Sequence, residues 1–355
     1  MLSGAGGWSS AGGAASADRY LCQMSDIRLN GVHHISCITG DAPGNVEFYS
    51  GLLGMRLVKK TVNQDDPSVY HLFYGDESGS PGFDLTFFEY PGPRPGRAGA
   101  GMVHRILWRL PSAEALAYWA GRLEAAGTRS QATEVDARLS GTGIDTGQAG
   151  LLFADPEGLE HEFLVYDGDE QPLVPLHSEV PPEYAIGGFH GVRVYSAAAQ
   201  GTEQVLSRVL GFEDLGDGAW SVSADSRSGL YLLDPSPEER QLAGAGTVHH
   251  IAWATRLEDQ DEWQRHVTES GLYATPVIDR FYFRAVYFRE PGGVLFELAT
   301  RGPGFATDED PESLGERLSL PPDLEPLRDQ VEPMLKPLPD VTQWRPAGTR
   351  APESS

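Results

Sequence analysis

The chain has 355 residues, of which 40% are hydrophobic and 22% charged, a composition typical of a globular protein with a substantial core. Its formal net charge of −24 disfavours nucleic acid and anionic membrane as partners, because phosphate groups are bound by lysine and arginine. Two cysteines make no disulfide framework, and no apolar run is long enough to span a bilayer, so we predict a cytoplasmic protein.

The first 26 residues are rich in glycine, alanine and serine and lack the basic start and apolar stretch of a secretion signal, so we predict a disordered leader at 1–26. The patterned sequence then opens with "GVHHISCITGDAPGNVEFYSGLLGM" at 31–55, which predicts a short strand followed by a helix. Three further strands are predicted by "LVKKTV", "VYHLFYGD" and "FDLTFFEY".

This pattern occurs four times along the chain. The segment at 31–55 returns as "GFHGVRVYSAAAQGTEQVLSRVLGF" at 188–212. A related segment, "GMVHRILWRLPSAEALAYWAGRLEAAG" at 101–127, returns as "GTVHHIAWATRLEDQDEWQRHVTESG" at 246–271. Similarity at fixed offsets indicates internal repeats, each a strand, a helix and three strands.

The repeats predict an α+β protein in which four βαβββ modules pair into two domains of curved sheet around a cup. We predict an N-terminal pair of modules at 27–167 and a C-terminal pair at 186–301. A polar, proline-bearing linker at 168–185 separates them. The remainder, 302–355, is a proline-rich tail predicted to contain one amphipathic helix.

Histidine doublets open the first and fourth modules, at His33–His34 and His249–His250. Neighbouring side chains on a strand point to opposite faces, so one histidine of each doublet faces the cup. The first histidine of the doublet recurs in all four modules, which indicates a role in the fold. The second occurs only in modules one and four, so we predict His34 and His250 as metal ligands.

A third ligand is predicted at Glu297, which lies among apolar residues in "PGGVLFELAT". A carboxylate in such a strand is costly unless it is paired or coordinates a cation. Two imidazoles and one carboxylate form the facial triad typical of non-heme Fe(II) oxygenases, with open positions on the metal. Mn, Ni and Zn can use the same ligands.

The second and third modules lack this set. Arg105 occupies the second-histidine position of module two, where it is predicted to pair with Glu162, and module three offers Gly191. These modules therefore predict a metal-free copy of the site and one metal per chain. Of the remaining histidines, His71 can line the cup, but local packing or hydrogen bonding is the favoured prediction. Three others are predicted at the surface: His161, His177 and His266.

Four βαβββ modules with ligands on opening and closing strands resemble the vicinal oxygen chelate superfamily, which includes glyoxalase I, bleomycin-resistance proteins and type I extradiol dioxygenases. The resemblance covers about residues 27 to 340. Its most specific run, "LVKKTVNQDDPSVYHLFYGD", is similar to ring-cleaving dioxygenases active on hydroquinones. It implies half-barrel domains, Fe(II), a small aromatic substrate and O2, and it is compatible with a homo-oligomer.

The resemblance also implies roles for individual residues. Fe(II) is expected at His34, His250 and Glu297, the trio that the repeats select independently. Four catalytic residues are expected around it: His33, His249, Arg280 and Tyr287. Tyr287 and one outer histidine are candidates for moving protons, and Arg280 for holding an anionic oxygen or a second hydroxyl. The aromatic residues expected to stack on the substrate ring are Tyr70, Phe73 and Phe87.

Two alternative functions stay open at this level. A glyoxalase I-like isomerase usually takes a second carboxylate ligand as base, and "FDLTFFEY" offers Thr86 and Phe87 near that position. A drug-sequestering binding protein needs no metal. The retention of two histidines and a glutamate in the first and fourth modules favours the dioxygenase.

Overall fold

The structure, a computed structural model, describes residues 27–90, 92–225 and 227–346. The predicted leader at 1–26 lies outside these residues. None of the helices that the structure describes is long and apolar enough to cross a membrane.

Each of the four modules consists of a strand, a helix and three strands. Module 1 contains β1 (Val32–Thr39), α1 (Ala42–Val46), β2 (Arg56–Asn63), β3 (Asp66–Gly75) and β4 (Asp84–Glu89). Module 2 contains β5 (Met102–Leu110), α2 (Ala113–Ala125), β6 (Ser130–Glu134), β7 (Ala149–Ala154) and β8 (Glu160–Val165). Module 3 contains β9 (Phe189–Tyr195), α3 (Ala199–Gln204), β10 (Glu213–Gly216), β11 (Ala219–Ala224) and β12 (Arg227–Asp234). Module 4 contains β13 (Thr247–Thr255), α4 (Gln260–Glu269), β14 (Ile278–Asp279), β15 (Phe283–Arg289) and β16 (Leu295–Pro303).

The strands form two curved sheets of eight strands each, which confirms the predicted α+β class and architecture. The first sheet has the order β14-β15-β16-β13-β1-β4-β3-β2, and the second has the order β10-β11-β12-β9-β5-β8-β7-β6. In each module the opening strand runs parallel to the closing strand, as β1 does to β4 and β13 to β16.

The sheets join modules from opposite halves of the chain. Strand β1 pairs antiparallel with β13, so modules 1 and 4 share the first sheet, and β5 pairs with β9, so modules 2 and 3 share the second. The predicted linker at 168–185 contains no strand, but each sheet combines strands that lie before the linker with strands that lie after it. Long-range strand pairing decides which modules share a sheet. The predicted domain boundaries describe the order of the repeats along the chain, and they stay a prediction.

The repeat extends to an irregularity of the backbone. Helix α1 continues as a π-helical turn, Glu47–Leu52, and α3 continues in the same way through Val205–Val209. Two residues after each segment lies a glycine with positive φ, 70° at Gly54 and 74° at Gly211, a conformation that favours residues without a Cβ. Modules 1 and 3 thus share a local geometry that their sequences encode as a terminal Leu-Gly.

The tail runs along module 1. Its helix, α5 (Arg328–Val331), is only four residues long and is flanked by 3-10 turns, so the predicted amphipathic helix is mostly replaced by tighter turns. Prolines at 326 and 333 explain this, because proline cannot continue the helical hydrogen bonding. The buried ammonium group of Lys59 donates to Asp308 at 2.8 Å and also pairs with Glu309, which ties the tail to β2.

Candidate active site

His34, His250 and Glu297 converge on one point of the first sheet. The Nε2 atoms of the two histidines lie 3.2 Å apart, and they lie 3.1 and 2.9 Å from Oε2 of Glu297. All three side chains are buried. Within the part of the chain that the structure describes, this is the group of side chains placed to hold a metal ion. The structure thus brings together the three residues that the sequence pattern selects as ligands.

The convergence follows from the strand register. Strands β1, β13 and β16 are neighbours, with Ser36 of β1 opposite His250 and Ala252 of β13 opposite Glu297. Because side chains alternate between the faces of a sheet, the ligand candidates share the inner face of the curved sheet. The structure therefore settles which histidine of each doublet points inward.

The chemistry of these side chains fits a divalent cation. Neither carboxylate oxygen of Glu297 has a well-aligned hydrogen-bond donor among the described residues, although both are buried. Burial opposes ionisation of Glu297, but the imidazoles of His34 and His250 hold its pKa well below the usual value. Burial also lowers the pKa of His250. A buried carboxylate beside two imidazole Nε2 atoms is a donor set that a cation completes.

His33 fixes the tautomer of His34. Its Nε2 lies 3.0 Å from the carbonyl oxygen of Thr300, and its Nδ1 lies 3.0 Å from Nδ1 of His34. A carbonyl only accepts, so Nε2–H of His33 donates to it, and Nδ1–H of His34 donates to Nδ1 of His33. This leaves the Nε2 lone pair of His34 for a metal. Burial lowers the pKa of His33 to about 3, which keeps the ring neutral.

His249 stands in the same relation to His250, with their Nδ1 atoms 2.8 Å apart. Unlike His33, His249 is exposed, and it lies edge-on against Phe88 at 5.7 Å between ring centres. The two outer histidines therefore differ in access to solvent. Of the two, His249 is the one placed to exchange protons with bulk water.

Tyr287 and Arg280 both line the pocket above the ligand candidates. The ring of Tyr287 lies 5.8 Å from that of His250, and the guanidinium carbon of Arg280 lies 5.6 Å from the centre of the tyrosine ring. Burial and the charge of Glu297 raise the pKa of Tyr287, so it is held as a phenol. Arg280 donates to both carboxylate oxygens of Asp65, at 3.2 and 3.1 Å.

Thr86 occupies the position in module 1 that Glu297 occupies in module 4. Thr86 lies opposite Ser36 in β1, as Glu297 lies opposite Ala252 in β13. The hydroxyl oxygens of Thr86 and Ser36 lie 2.7 Å apart. At this position a second carboxylate ligand is thus replaced by a hydroxyl group.

A cleft of about 450 Å³, including its open mouth, leads from the ligand candidates to the surface. Its mouth is formed by Gln64, Asp65 and Arg280. Its walls include the rings of Phe73, Phe88, Phe283 and His71. Aromatic walls around a few polar groups are typical of sites for small planar ligands.

Two of the three aromatic residues predicted to stack on a substrate lie elsewhere. Phe87 is fully buried in the core with its ring 4.7 Å from that of Tyr49, and Tyr70 donates its hydroxyl to the carbonyl of Lys336. Phe73 does line the cleft. Phe88 takes the place expected of Phe87, because adjacent residues of β4 face opposite sides of the sheet.

One histidine prediction is also corrected. His161, predicted at the surface, is fully buried, with Nε2 3.0 Å from the hydroxyl of Tyr49 and Nδ1 accepting from Trp108. His71 does pack and hydrogen-bond locally, as predicted, but it also lines the cleft. The signal that the sequence offered for His71 is its place two residues before Phe73, on the same face of β3.

In the second sheet, Arg105 pairs with Glu162 as predicted. Nη1 of Arg105 donates to Oε2 of Glu162 at 3.0 Å, and the same guanidinium pairs with Glu160 at 2.9 Å. Glu162 lies opposite Leu107 in β5, which matches the register of Glu297 opposite Ala252. In module 2 the guanidinium of Arg105 therefore donates to Glu162, whereas in module 4 the corresponding carboxylate, Glu297, has no such donor.

Comparisons with known proteins agree with this architecture. The chain matches the Glyoxalase/Bleomycin resistance protein/Dioxygenase superfamily over residues 31–163 and 174–298. It is 39% identical over 329 residues to "Putative ring-cleaving dioxygenase MhqA" of Bacillus subtilis (strain 168), covering 88% of this chain and 100% of that protein. It is 33% identical over 329 residues to "Chlorohydroquinone/hydroquinone 1,2-dioxygenase" of Sphingobium indicum, covering 86% and 95% of the two chains.

A solved structure extends the likeness to three dimensions. The crystal structure of a "putative dioxygenase" from Bacillus subtilis superposes with a TM-score of 0.80 at 40% identity, covering 88% of this chain and 99% of that one. The chain therefore belongs to the Glyoxalase/Bleomycin resistance protein/Dioxygenase superfamily.

Proposed function

We propose that this protein is an Fe(II)-dependent dioxygenase that cleaves the ring of hydroquinone-type diphenols with O2. The observation that carries the proposal is the facial set of His34, His250 and Glu297, with Thr86 where a fourth protein ligand would stand. Three protein ligands leave metal positions for a substrate oxygen and O2. The names of the similar proteins, ring-cleaving and hydroquinone dioxygenases, support the same class.

The three ligand candidates are proposed to hold the iron, which would supply Lewis acidity and one-electron chemistry toward O2. The protein orients the three ligand side chains and buries them away from solvent. His33 presents the Nε2 lone pair of His34 through the hydrogen bond between their Nδ1 atoms. Phe73, Phe88 and Phe283 give the cleft aromatic walls against which an aromatic substrate packs. Mn, Ni or Zn remain alternatives for the metal, because the donor set accepts them.

Proton movement is assigned to Tyr287 and His249. Tyr287 lines the cleft as a phenol and suits donation to an oxygen of the reacting ring. His249 is exposed and bonded to His250, so it suits exchange with water. Arg280 lies beside Tyr287 and carries a positive charge near any anionic oxygen in the cleft. Between the two outer histidines, solvent access favours His249 over the buried His33.

Thr86 disfavours the isomerase alternative, because a hydroxyl group cannot replace a carboxylate base at neutral pH. The buried charge of Glu297 disfavours a metal-free binding protein, because an uncompensated carboxylate in that place is costly. A cytoplasmic location and a homo-oligomeric state stay predictions from the sequence.

The test is anaerobic reconstitution with Fe(II), followed by oxygen uptake with hydroquinone, catechol and the hemithioacetal of methylglyoxal and glutathione. The proposal expects oxygen uptake with a diphenol and its loss in Glu297→Ala. Glu162→Ala, at the matching position of the second sheet, is the control and retains uptake. Consumption of the hemithioacetal without oxygen would instead establish the isomerase, and binding without turnover would establish the binding protein.

A further inference from the structure

We infer that His71 and Thr61 form the subsite that holds the second hydroxyl group of a 1,4-diphenol, and so set a preference for hydroquinones over catechols. The inference rests on the proposed function, because it assumes a diphenol in the cleft. It concerns two residues on β3 and β2, away from the three strands that carry the ligand candidates.

A line of hydrogen-bonding side chains crosses module 1 away from the ligand candidates. The hydroxyl of Ser36 on β1 lies 2.7 Å from that of Thr86 on β4, and Thr86 lies 3.1 Å from Nε2 of His71 on β3. Thr61 on β2 lies directly opposite His71 in the strand register. Because the strands follow the order β1-β4-β3-β2, each step of this line lies one strand further from β1.

The ring of His71 is held in place on both sides. Its centre lies 4.0 Å from that of Phe88 and 4.0 Å from that of Phe73, nearly parallel to Phe88 at 28°. Nε2 is engaged by Thr86, whereas Nδ1 makes no hydrogen bond to any residue that the structure describes. A fixed imidazole with one nitrogen to spare, on the wall of a cleft, is a preorganised partner for a hydroxyl group.

Thr61 provides an independent observation. Its side chain is 2% exposed, it lines the cleft, and its Oγ1 has no hydrogen-bond partner among the described residues. A buried hydroxyl group without a partner costs free energy, and a ligand oxygen in the cleft removes that cost. The directly paired residues Thr61 and His71 thus line the same cleft, each with a polar atom that has no hydrogen-bond partner among the described residues.

The substrate chemistry matches this placement. In a catechol the two oxygens are adjacent, so both can bind one metal ion. In a hydroquinone the second oxygen lies across the ring, where it needs a partner on the protein. A site for a 1,4-diphenol therefore requires a polar group beyond the aromatic walls, and His71 and Thr61 supply one. Arg280 is less suited, because Asp65 already takes two of its donors at the mouth.

The experiment compares phenol with hydroquinone, which differ only in the second hydroxyl group. Their Kd values are measured anaerobically on the metal-loaded protein by calorimetry, for the wild type, His71→Phe and Thr61→Val. His71→Phe keeps an aromatic ring between Phe73 and Phe88, and Thr61→Val keeps the volume of threonine. Phe283→Leu serves as a control that alters the wall without removing a polar group, and thermal melting checks that each variant is folded.

We expect the wild type to bind hydroquinone about tenfold more tightly than phenol, the effect of one or two hydrogen bonds. His71→Phe should abolish this preference, Thr61→Val should reduce it, and Phe283→Leu should weaken both ligands equally. In oxygen uptake, His71→Phe should raise KM for hydroquinone and leave catechol unchanged, and His71→Gln should restore part of the preference.

An equal Kd for phenol and hydroquinone in the wild type, or a preference that survives in His71→Phe, overturns the inference. Neither result depends on turnover, so each is distinguishable from failure of the proposed function. That failure would instead appear as a wild type that discriminates between the ligands but consumes no oxygen with either diphenol.

Discussion

Arg105 and Glu162 form an ion pair, 3.0 Å between Nη1 and Oε2, at the positions of the second sheet that correspond to His250 and Glu297 in the first. The same fold thus pairs Glu162 with a cationic side chain of the protein and leaves Glu297 for a bound metal cation. This relationship explains why a duplicated chain is expected to hold a single metal ion.

Substitution Arg105→Ala is expected to destabilise the protein without changing its metal content. Removing Arg105 leaves the buried carboxylate of Glu162 without its cation, which costs about 3 kcal/mol in the free energy of unfolding. Arg265→Ala, which breaks exposed pairs with Glu262 and Glu269, should cost less than about 1 kcal/mol. Urea unfolding and metal analysis check both values. A changed metal stoichiometry in Arg105→Ala would contradict the assignment of the second sheet.

Metal binding is expected to stabilise the wild type and not Glu297→Gln. A ligand that binds only the folded state at about 100 times its Kd adds about 2.7 kcal/mol to the free energy of unfolding. Thermal melting with and without added Zn(II) or Mn(II), in protein first treated with chelator, measures this difference. Glu162→Gln is the matched control and should respond like the wild type. An equal response in Glu297→Gln would place the metal elsewhere.

His33 is expected to act as a positioning residue for the metal. Replacement by phenylalanine removes the acceptor for Nδ1–H of His34, which should weaken metal binding by about 10- to 100-fold. Asparagine or glutamine at this position can restore an acceptor and should recover part of the affinity. Competition with a chelator gives the affinity directly. If His33→Phe binds metal as tightly as the wild type, the hydrogen-bond chain from Thr300 does not orient His34.

Asp155 is expected to make stability depend on pH between about 4 and 6. Burial raises its pKa to about 6, while the backbone amides of Leu159 and Glu157 and the hydroxyl of Tyr49 oppose the rise. A folded pKa above the unfolded value means that the folded state binds the proton more tightly. The resulting stabilisation is present below pH 4 and is lost as the pH rises through 6, by up to about 3 kcal/mol.

Asp155→Asn should remove this dependence. Buried histidines such as His161, whose pKa burial lowers to about 3, act in the opposite direction, so the readout is the difference between variant and wild type. Relative to the wild type, the free energy of unfolding of Asp155→Asn in chelator-treated protein should rise from pH 4 to pH 6. The exposed Asp261→Asn is the control. A difference that stays constant over this range would contradict the raised pKa.

The sequence predicts the modules because strand and helix periodicities repeat at fixed offsets, and it predicts the ligand candidates because only two modules keep the second histidine. It does not predict that modules 1 and 4 share a sheet, because that depends on the long-range pairing of β1 with β13. Alternation along a strand separates two faces without naming the inner one. For this reason the sequence placed Phe87 in the cleft, where the structure has Phe88, and placed His161 at the surface, although it is buried.

The most direct test of the central claim is a crystal structure of the chelator-treated, Fe(II)-reconstituted protein, with anomalous diffraction recorded at the iron edge. The account predicts one strong anomalous peak per chain, within bonding distance of Nε2 of His34, Nε2 of His250 and a carboxylate oxygen of Glu297, and none beside Arg105. A peak at any other place, or no peak under conditions where metal analysis finds one iron per chain, would contradict it.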